Sequence, residues 1–185
     1  NVTVSFTGSD ATEHQLSSYS LTFTPSNWNT TQTVTVTGVD DSLDDGDITT
    51  TLTATASNTG GYAGTETATA TLKTTDDDTA GITIAQASTP LVTTEAGSTA
   101  SFTVVLDAKP TDNVTVSITG NDSTEHQLSS SSLTFTTSNW NTAQTVTVTG
   151  VDDNLIDGDI TTTLTATASN TGGYAGTETA TATLK

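Results

Sequence analysis

Two short segments of the chain contain most of its clustered carboxylates. Residues 40–47 have the sequence Asp-Asp-Ser-Leu-Asp-Asp-Gly-Asp, and residues 152–159 have the sequence Asp-Asp-Asn-Leu-Ile-Asp-Gly-Asp. A third run, Asp76–Asp78, lies between them. Two carboxylates about 4 Å apart repel by about 1 kcal/mol in water and by about 4 kcal/mol at an effective dielectric constant of 20. A folded loop that gathers these residues therefore needs a positive charge beside them.

The composition limits what can supply that positive charge. The chain has 3 basic residues against 21 acidic ones, and its formal net charge is −18. Because these basic residues are too few to pair with the clusters, we expect a cation to neutralise them. Oxygen ligands without cysteine select a hard ion, and flexible carboxylate loops favour Ca²⁺ over Mg²⁺. The alternative is that the segments are solvated acidic loops. They do not match the EF-hand pattern.

The acidic segments belong to a long internal repeat. Residues 1–73 return as residues 113–185 with an offset of 112 and eight differences, and Trp28 and Trp140 are equivalent. This period is far longer than a solenoid repeat of about 20 to 50 residues, so each copy can have its own core. We therefore expect two modules, a partial one over 1–79 and a second over 80–185, which together form a piece of a longer array.

Strict alternation of threonine with apolar residues predicts the architecture. The segments 144–149, 163–168 and 178–184 alternate with a period of two, as half-buried strands do. Seven strands are predicted in the second copy, over 81–85, 98–106, 113–119, 132–136, 144–151, 160–169 and 176–185. Short alternating strands separated by turn residues indicate an all-β fold made of tandem antiparallel, immunoglobulin-like β-sandwich modules.

The same pattern predicts which residues form the core. Inward positions of the second copy are Phe102, Val104, Leu106, Val114, Val116, Ile118, Leu133, Phe135, Val146, Val148, Leu164, Ala166, Ala180, Ala182 and Leu184. We expect each tryptophan to cap a core, with glycan stacking as the alternative if it is exposed. We expect Tyr62 and Tyr174 to pack their loops.

Three stretches resemble the Calx-beta family, the calcium-binding, immunoglobulin-like modules of sodium/calcium exchangers and of many large bacterial surface proteins. Residues 93–106 are similar to the opening of the family, in which a glutamate before a glycine precedes a core strand. Residues 148–157 resemble its strand followed by an Asp-Asp loop. Residues 76–82 resemble its closing aspartate triplet.

The resemblance implies a set of calcium ligands. In the first module they are Asp40, Asp41, Asp45, Asp76, Asp77 and Asp78, and in the second they are Glu95, Asp152, Asp153 and Asp157. Glu13 and Glu125 occupy the position, ten residues before a phenylalanine, where the family usually has an aspartate. The first module lacks the opening glutamate and the second lacks the triplet. The tightest binding is therefore expected at Asp40, Asp41, Asp45 and the triplet.

The resemblance also implies a function. The chain is similar to the extender repeats of bacterial adhesins of the repeats-in-toxin (RTX) secretion type, which are extracellular and lie on the bacterial cell surface. Calcium would stiffen such a stalk, and its partners would be neighbouring repeats of the same chain. We also expect self-association through the incomplete first module, because an unpaired strand edge promotes it.

The sequence fits other functions less well than the stalk. The alternative is a β-sandwich adhesion module that binds glycan or protein. Catalysis is not expected, because no nucleophile-elbow or metal-hydrolase spacing surrounds the loop histidines His14 and His126. Ice binding by threonine ladders would need a short coil repeat. Three lysines without arginine argue against nucleic acid, and no apolar stretch is long enough to insert into a membrane.

Overall fold

The computed structural model describes residues 1–156 and 158–185, and strands joined by turns and loops form both ranges. The strands are β1 (Val2–Thr7), β2 (His14–Leu16), β3 (Ser20–Phe23), β4 (Val36–Gly38), β5 (Ile48–Ala56), β6 (Thr67–Thr74), β7 (Ile82–Gln86), β8 (Thr99–Leu106), β9 (Val114–Thr119), β10 (His126–Leu128), β11 (Ser132–Phe135), β12 (Gln144–Gly150), β13 (Thr162–Ala168) and β14 (Thr179–Leu184). Every pair of these strands that shares a ladder is antiparallel. The predicted all-β class is confirmed. Among the described residues, no helix is long and apolar enough to cross a membrane.

The chain divides into two compact units. Unit 1 contains residues 1–41 and 45–76, and unit 2 contains residues 42–44 and 77–185. In unit 2 one sheet has the order β10-β12-β8-β7 and the other has the order β11-β9-β13-β14. Their inner faces share one apolar core, so unit 2 is an antiparallel β-sandwich.

The core of unit 2 follows the predicted alternation. Fourteen of the fifteen predicted inward residues are buried, and Ala180 is half-buried against them. Ile82, Leu91 and Tyr174 join the core although the strand pattern did not select them. Trp140 is half-buried and packs against the core, as predicted. The prediction missed β10, because its three residues are too few to show a period.

Unit 1 is built from the repeated sequence but has fewer strands. Its sheets are β3-β1-β5-β6 and the pair β2-β4. These six strands are the counterparts of β9 to β14, and the described part of unit 1 contains no counterpart of β7 or β8. As a result Trp28 is 71% exposed, so the prediction that it caps a core is wrong. Tyr62, predicted to pack its loop, is 48% exposed.

Candidate metal site

Strand pairing in unit 1 brings a glutamate beside the first acidic loop. Glu13 directly precedes β2, which pairs with β4 so that His14 lies opposite Gly38. The Val39 N–H, just beyond β4, donates to the Glu13 carbonyl at 2.9 Å. The chain then turns through Asp41 and Asp45 before β5 begins at Ile48. One carboxylate oxygen from each of Glu13, Asp41 and Asp45 lies within 4.8 Å of the other two.

Asp76 holds this loop from the end of β6. Its Oδ2 accepts hydrogen bonds from the N–H groups of Asp45 at 3.0 Å and Gly46 at 2.7 Å. The Asp76 N–H in turn donates to Asp47 Oδ1 at 3.1 Å. Gly46 has φ +78°, in the left-handed region that favours glycine. These contacts fix the backbone that presents Asp45.

The three carboxylates differ in their exposure to water. Glu13 is only 8% exposed, whereas Asp41 and Asp45 are exposed. The Thr12 hydroxyl donates a long hydrogen bond to Glu13 Oε1 at 3.4 Å. Burial of a carboxylate is costly unless an opposite charge or strong hydrogen bonds compensate. Glu13 is therefore the member of the group that most needs a cation.

Lysine does not supply that charge in unit 1. Lys73 is the only lysine among residues 1–76, and its Nζ lies 2.5 Å from Asp47 Oδ2. The hydrogen bond from Lys73 lowers the pKa of Asp47, and the N–H of Asp76 lowers it further. Asp47 and Lys73 thus neutralise each other beside the group of three. The three remaining carboxylates are oxygen donors and fit a hard metal cation.

The other predicted ligands of the first module have different positions. Asp40 lies in the same loop, is exposed, and is not part of the group of three. Asp76 uses one oxygen to anchor the loop backbone. Asp77 and Asp78 belong to unit 2. The roles of these four residues as ligands stay predictions.

The predicted ligands of unit 2 that the structure describes are Glu95, Glu125, Asp152 and Asp153. Glu95 and Glu125 line a cavity of about 590 Å³ together with Asp159 and Lys185. Lys185 Nζ lies 3.0 Å from Asp159 Oδ2. Asp152 is exposed, and Asp153 Oδ1 accepts a hydrogen bond from the Leu155 N–H at 2.7 Å. The predicted ligand Asp157, the counterpart of Asp45, lies outside the described residues.

Sequence reasoning missed a supporting residue of the unit 1 site. The Thr74 hydroxyl donates to the Glu13 carbonyl at 3.2 Å, and it lies 2.9 Å from His14 Nε2. Nothing in the sequence distinguishes Thr74 from the many other threonines. The two histidines are also not where they were predicted. His14 and His126 begin strands β2 and β10 and are buried, because strand pairing turns their side chains inward.

Comparisons with known proteins concern the fold. No protein family and no curated protein sequence matches the chain. The chain is similar to a crystal structure of CBD12 from CALX1.2, with a TM-score of 0.41 and 17% identity over 90% of this chain and 68% of that one. It is also similar to the calcium binding domain CBD12 of CALX1.1, with a TM-score of 0.37 and 17% identity over 91% of this chain and 66% of that one.

Proposed function

We propose that the chain is a calcium-stiffened extender segment of a repetitive bacterial cell-surface adhesin of the RTX type. The observation that supports this proposal is the convergence of Glu13, Asp41 and Asp45 in a unit whose only lysine is paired with Asp47. Calcium accepts several oxygen ligands in flexible geometry, which suits carboxylates presented by a loop and a strand end.

Calcium at this position would stabilise unit 1 by removing repulsion. Three carboxylates within 4.8 Å form three repelling pairs, each worth about 1 to 4 kcal/mol depending on solvent screening. A small domain is stable by only about 5 to 15 kcal/mol in total. Without a cation, the loop between β4 and β5 would open, and Glu13 would be exposed to water. Bound calcium would join the start of β2 to this loop.

Calcium at the same site would also affect the backbone where the chain leaves unit 1. Asp45 is held by Asp76, which lies two residues after the end of β6 and is the last residue of unit 1. A cation that orders Asp45 would therefore also order the backbone leading into the next repeat. The expected partners are neighbouring repeats of the same chain. In this role the modules provide length and stiffness, and a distal domain binds the target.

The proposed location explains when the site fills. Extracellular calcium modules bind with dissociation constants of about 10⁻⁴ to 10⁻³ M. Such a site fills at the millimolar calcium outside a cell and stays empty in the cytosol. The acidic chain would remain loosely ordered before export and would become stiff at the bacterial surface.

Calcium titration of matched variants tests the proposal. Isothermal titration calorimetry of the full chain should show saturable calcium binding that the double substitution Asp41→Asn and Asp45→Asn removes from unit 1. Asp107→Asn provides a control, since Asp107 is an exposed carboxylate outside the acidic clusters. Equal binding by all three proteins would contradict the assignment of the site. The stalk role requires a second measurement, in which calcium narrows the distribution of distances between dyes at the two ends of the chain.

A further inference from the structure

The two units differ most in what covers one strand. In unit 2, β12 pairs with β10 on one side and with β8 on the other, with Val146 opposite Phe102 and Val148 opposite Ala100. In unit 1 its counterpart is the segment containing β4, which within the described residues pairs only with β2. The other edge of this segment therefore presents backbone groups of the kind that β8 engages in unit 2.

An apolar face of the sheet that contains β1 and β3 is open in unit 1. A cavity of about 440 Å³ lies on this face, lined by Val2, Val4, Phe23, Trp28 and Tyr62 among others. In unit 2 the counterparts of the first three are fully buried, and Tyr174 is only 3% exposed. They share one core with Phe102, Val104 and Leu106 of β8. The sequence around the cavity is almost unchanged between the units, so the cover accounts for the difference.

Polar contacts in unit 2 show how the cover is recognised. The Tyr174 hydroxyl donates to the Ala108 carbonyl at 2.8 Å and accepts from the Ala108 N–H at 3.3 Å. The Gly150 N–H donates to the Ser98 carbonyl at 3.1 Å. Leu91 exchanges two backbone hydrogen bonds with Thr183 and Lys185 at the outer edge of β14, each 2.8 Å long.

Unit 1 retains the counterparts of these recognition groups. Tyr62 replaces Tyr174 and is 48% exposed, and Gly38 replaces Gly150. The outer edge of β6 offers Thr71 and Lys73 in place of Thr183 and Lys185. Residues 99–106 form an amphipathic strand. Such a strand can pair with the unpaired backbone edge through hydrogen bonds, and its alternating apolar side chains can cover the exposed apolar face. Addition of a strand to an exposed sheet edge is a common mode of peptide recognition.

We propose that unit 1 is an acceptor for a repeat segment with the sequence of Ala80–Asp112, which adds a strand along residues 32–37 in the register that β8 adopts along β12. In that register Val34 lies opposite Phe102 of the occupant, and Val36 lies opposite its Ala100. The aromatic ring of Trp28 becomes covered, and the Tyr62 hydroxyl bonds to Ala108 of the occupant. In this register Glu95 of the occupant lies near Glu13, since Glu95 and the Glu13 counterpart Glu125 line one cavity in unit 2. The docked segment therefore borders the carboxylate group and adds a second interaction to the proposed stalk, on which this inference rests.

One glycine makes the proposal sharply testable. A Cβ added at Gly150 would lie 2.1 Å from the Thr94 carbonyl oxygen, an atom of the covering segment. A Cβ added at Gly38 meets only a Thr74 methyl group at 3.9 Å, so Gly38→Ala fits unit 1 as it stands. The same substitution would collide with Thr94 of a bound segment. Gly38→Ala should therefore block docking without disturbing unit 1.

In the experiment, a synthetic peptide of residues 80–112 is titrated into the 185-residue chain at fixed millimolar calcium. The chain contains Trp140→Phe, so Trp28 alone reports. We expect a saturable, one-to-one blue shift of Trp28 emission. The shift should be lost with Gly38→Ala. Tyr62→Phe should weaken the affinity for the peptide at least about tenfold, or by about 1.4 kcal/mol, because it removes the hydroxyl that bonds to Ala108 of the peptide. A peptide containing Phe102→Asp and Val104→Asp should not bind.

Three outcomes of the peptide titration would overturn the proposal. These are no saturable shift with the peptide, the same shift with the doubly substituted peptide, and an undiminished shift in the Gly38→Ala chain. A shift produced by a panel of oligosaccharides but not by the peptide would also overturn it and would assign Trp28 to glycan stacking. The circular dichroism spectrum of the Gly38→Ala chain should match that of its parent, which separates blocked docking from misfolding.

Discussion

Two copies of nearly one sequence reach different degrees of burial in the two units. Val116 and Phe135 of unit 2 are fully buried, whereas their counterparts Val4 and Phe23 in unit 1 are half-buried. The strands that contain them have the same lengths in both units. These two strands thus form in both units from the same sequence, but the burial of their side chains depends on the segment that covers them. The counterpart of β12 forms only the three-residue β4, so the extent of that strand also depends on its partner.

The acidic loops provide a second comparison. In unit 1, Asp41 and Asp45 converge with Glu13. In unit 2, Asp153 instead caps its own loop through the Leu155 N–H, and Ile156 replaces Asp44 and is fully exposed. Among the described residues, the assembled carboxylate group is that of unit 1, and Asp157, the counterpart of Asp45, lies outside the described residues.

The largest expected effect comes from removing one equivalent side chain from each core. Phe135→Ala should destabilise unit 2 by about 3 to 5 kcal/mol, because it leaves a cavity in a closed core. Phe23→Ala should cost about half as much, because this ring is already partly exposed to water. Urea denaturation followed by circular dichroism measures both. Equal losses would contradict the difference in burial.

Replacing each of the two equivalent glutamates with glutamine tests which of them contributes to calcium binding in unit 1. Glu13→Gln should weaken calcium binding to unit 1 at least about tenfold, or by about 1.4 kcal/mol, because it removes the least exposed carboxylate of the group. Glu125→Gln should leave that binding unchanged. Calorimetric titration with calcium distinguishes the variants. The account would be wrong if Glu125→Gln were the more damaging change.

A backbone substitution tests the anchor at Asp76. Gly46→Ala forces an alanine into the left-handed region at φ +78°, at a cost of about 1 to 2 kcal/mol. Gly158→Ala has the same φ and provides the matched control in unit 2. Both should lower stability, but only Gly46→Ala should also weaken calcium binding to unit 1. Calcium titrations that are equally affected in both variants would exclude the role of the Asp76 anchor.

The smallest expected effect concerns pH and a loop that is similar in both units. Hydrogen bonds from the Ala63 N–H and neighbouring N–H groups lower the pKa of Glu66 below its usual 4.5. A lowered pKa in the folded state adds stability that is present above the unfolded pKa and is lost as the pH falls through the folded pKa. Urea midpoints should therefore show a small loss in Glu66→Gln at neutral pH that shrinks below about pH 4.5. A difference that is independent of pH would contradict this cause.

The counterpart Glu178 extends this comparison. Burial alone would raise its pKa, but N–H donors from Ala175 and Gly176 lower the pKa overall. Glu178→Gln should therefore show the same direction of pH dependence in unit 2. An opposite slope would mean that burial outweighs these hydrogen bonds.

The fold could be predicted from the sequence because alternating threonine and apolar residues determine which strands form and which faces turn inward. The strand β10 was missed, since His126-Gln-Leu128 is too short to show a period. The exposure of Trp28 could not be predicted from its neighbours, which it shares with Trp140. It depends on a covering segment that is distant in sequence.

The candidate site was only partly predictable for the same reason. The concentration of aspartate identifies the loop at 40–47 as a possible cation site. The proximity of Glu13 to Asp41 and Asp45 follows from the pairing of β2 with β4, and β2 is as short as β10. Glu13 was named through the family resemblance, because its own sequence context shows no acidic cluster.

The most direct test of the central claim is thermal unfolding of the 185-residue chain at millimolar calcium, at millimolar magnesium, and in excess chelator, followed by circular dichroism. The account predicts that calcium raises the melting temperature of unit 1, since a ligand that binds only the folded state stabilises it by about 0.4 to 1.4 kcal/mol at about 1 to 10 times its dissociation constant. Magnesium should have a smaller effect, and the variant with Asp41→Asn and Asp45→Asn should lose the calcium response. Melting curves that are the same in calcium and in chelator would contradict a structural calcium site in unit 1.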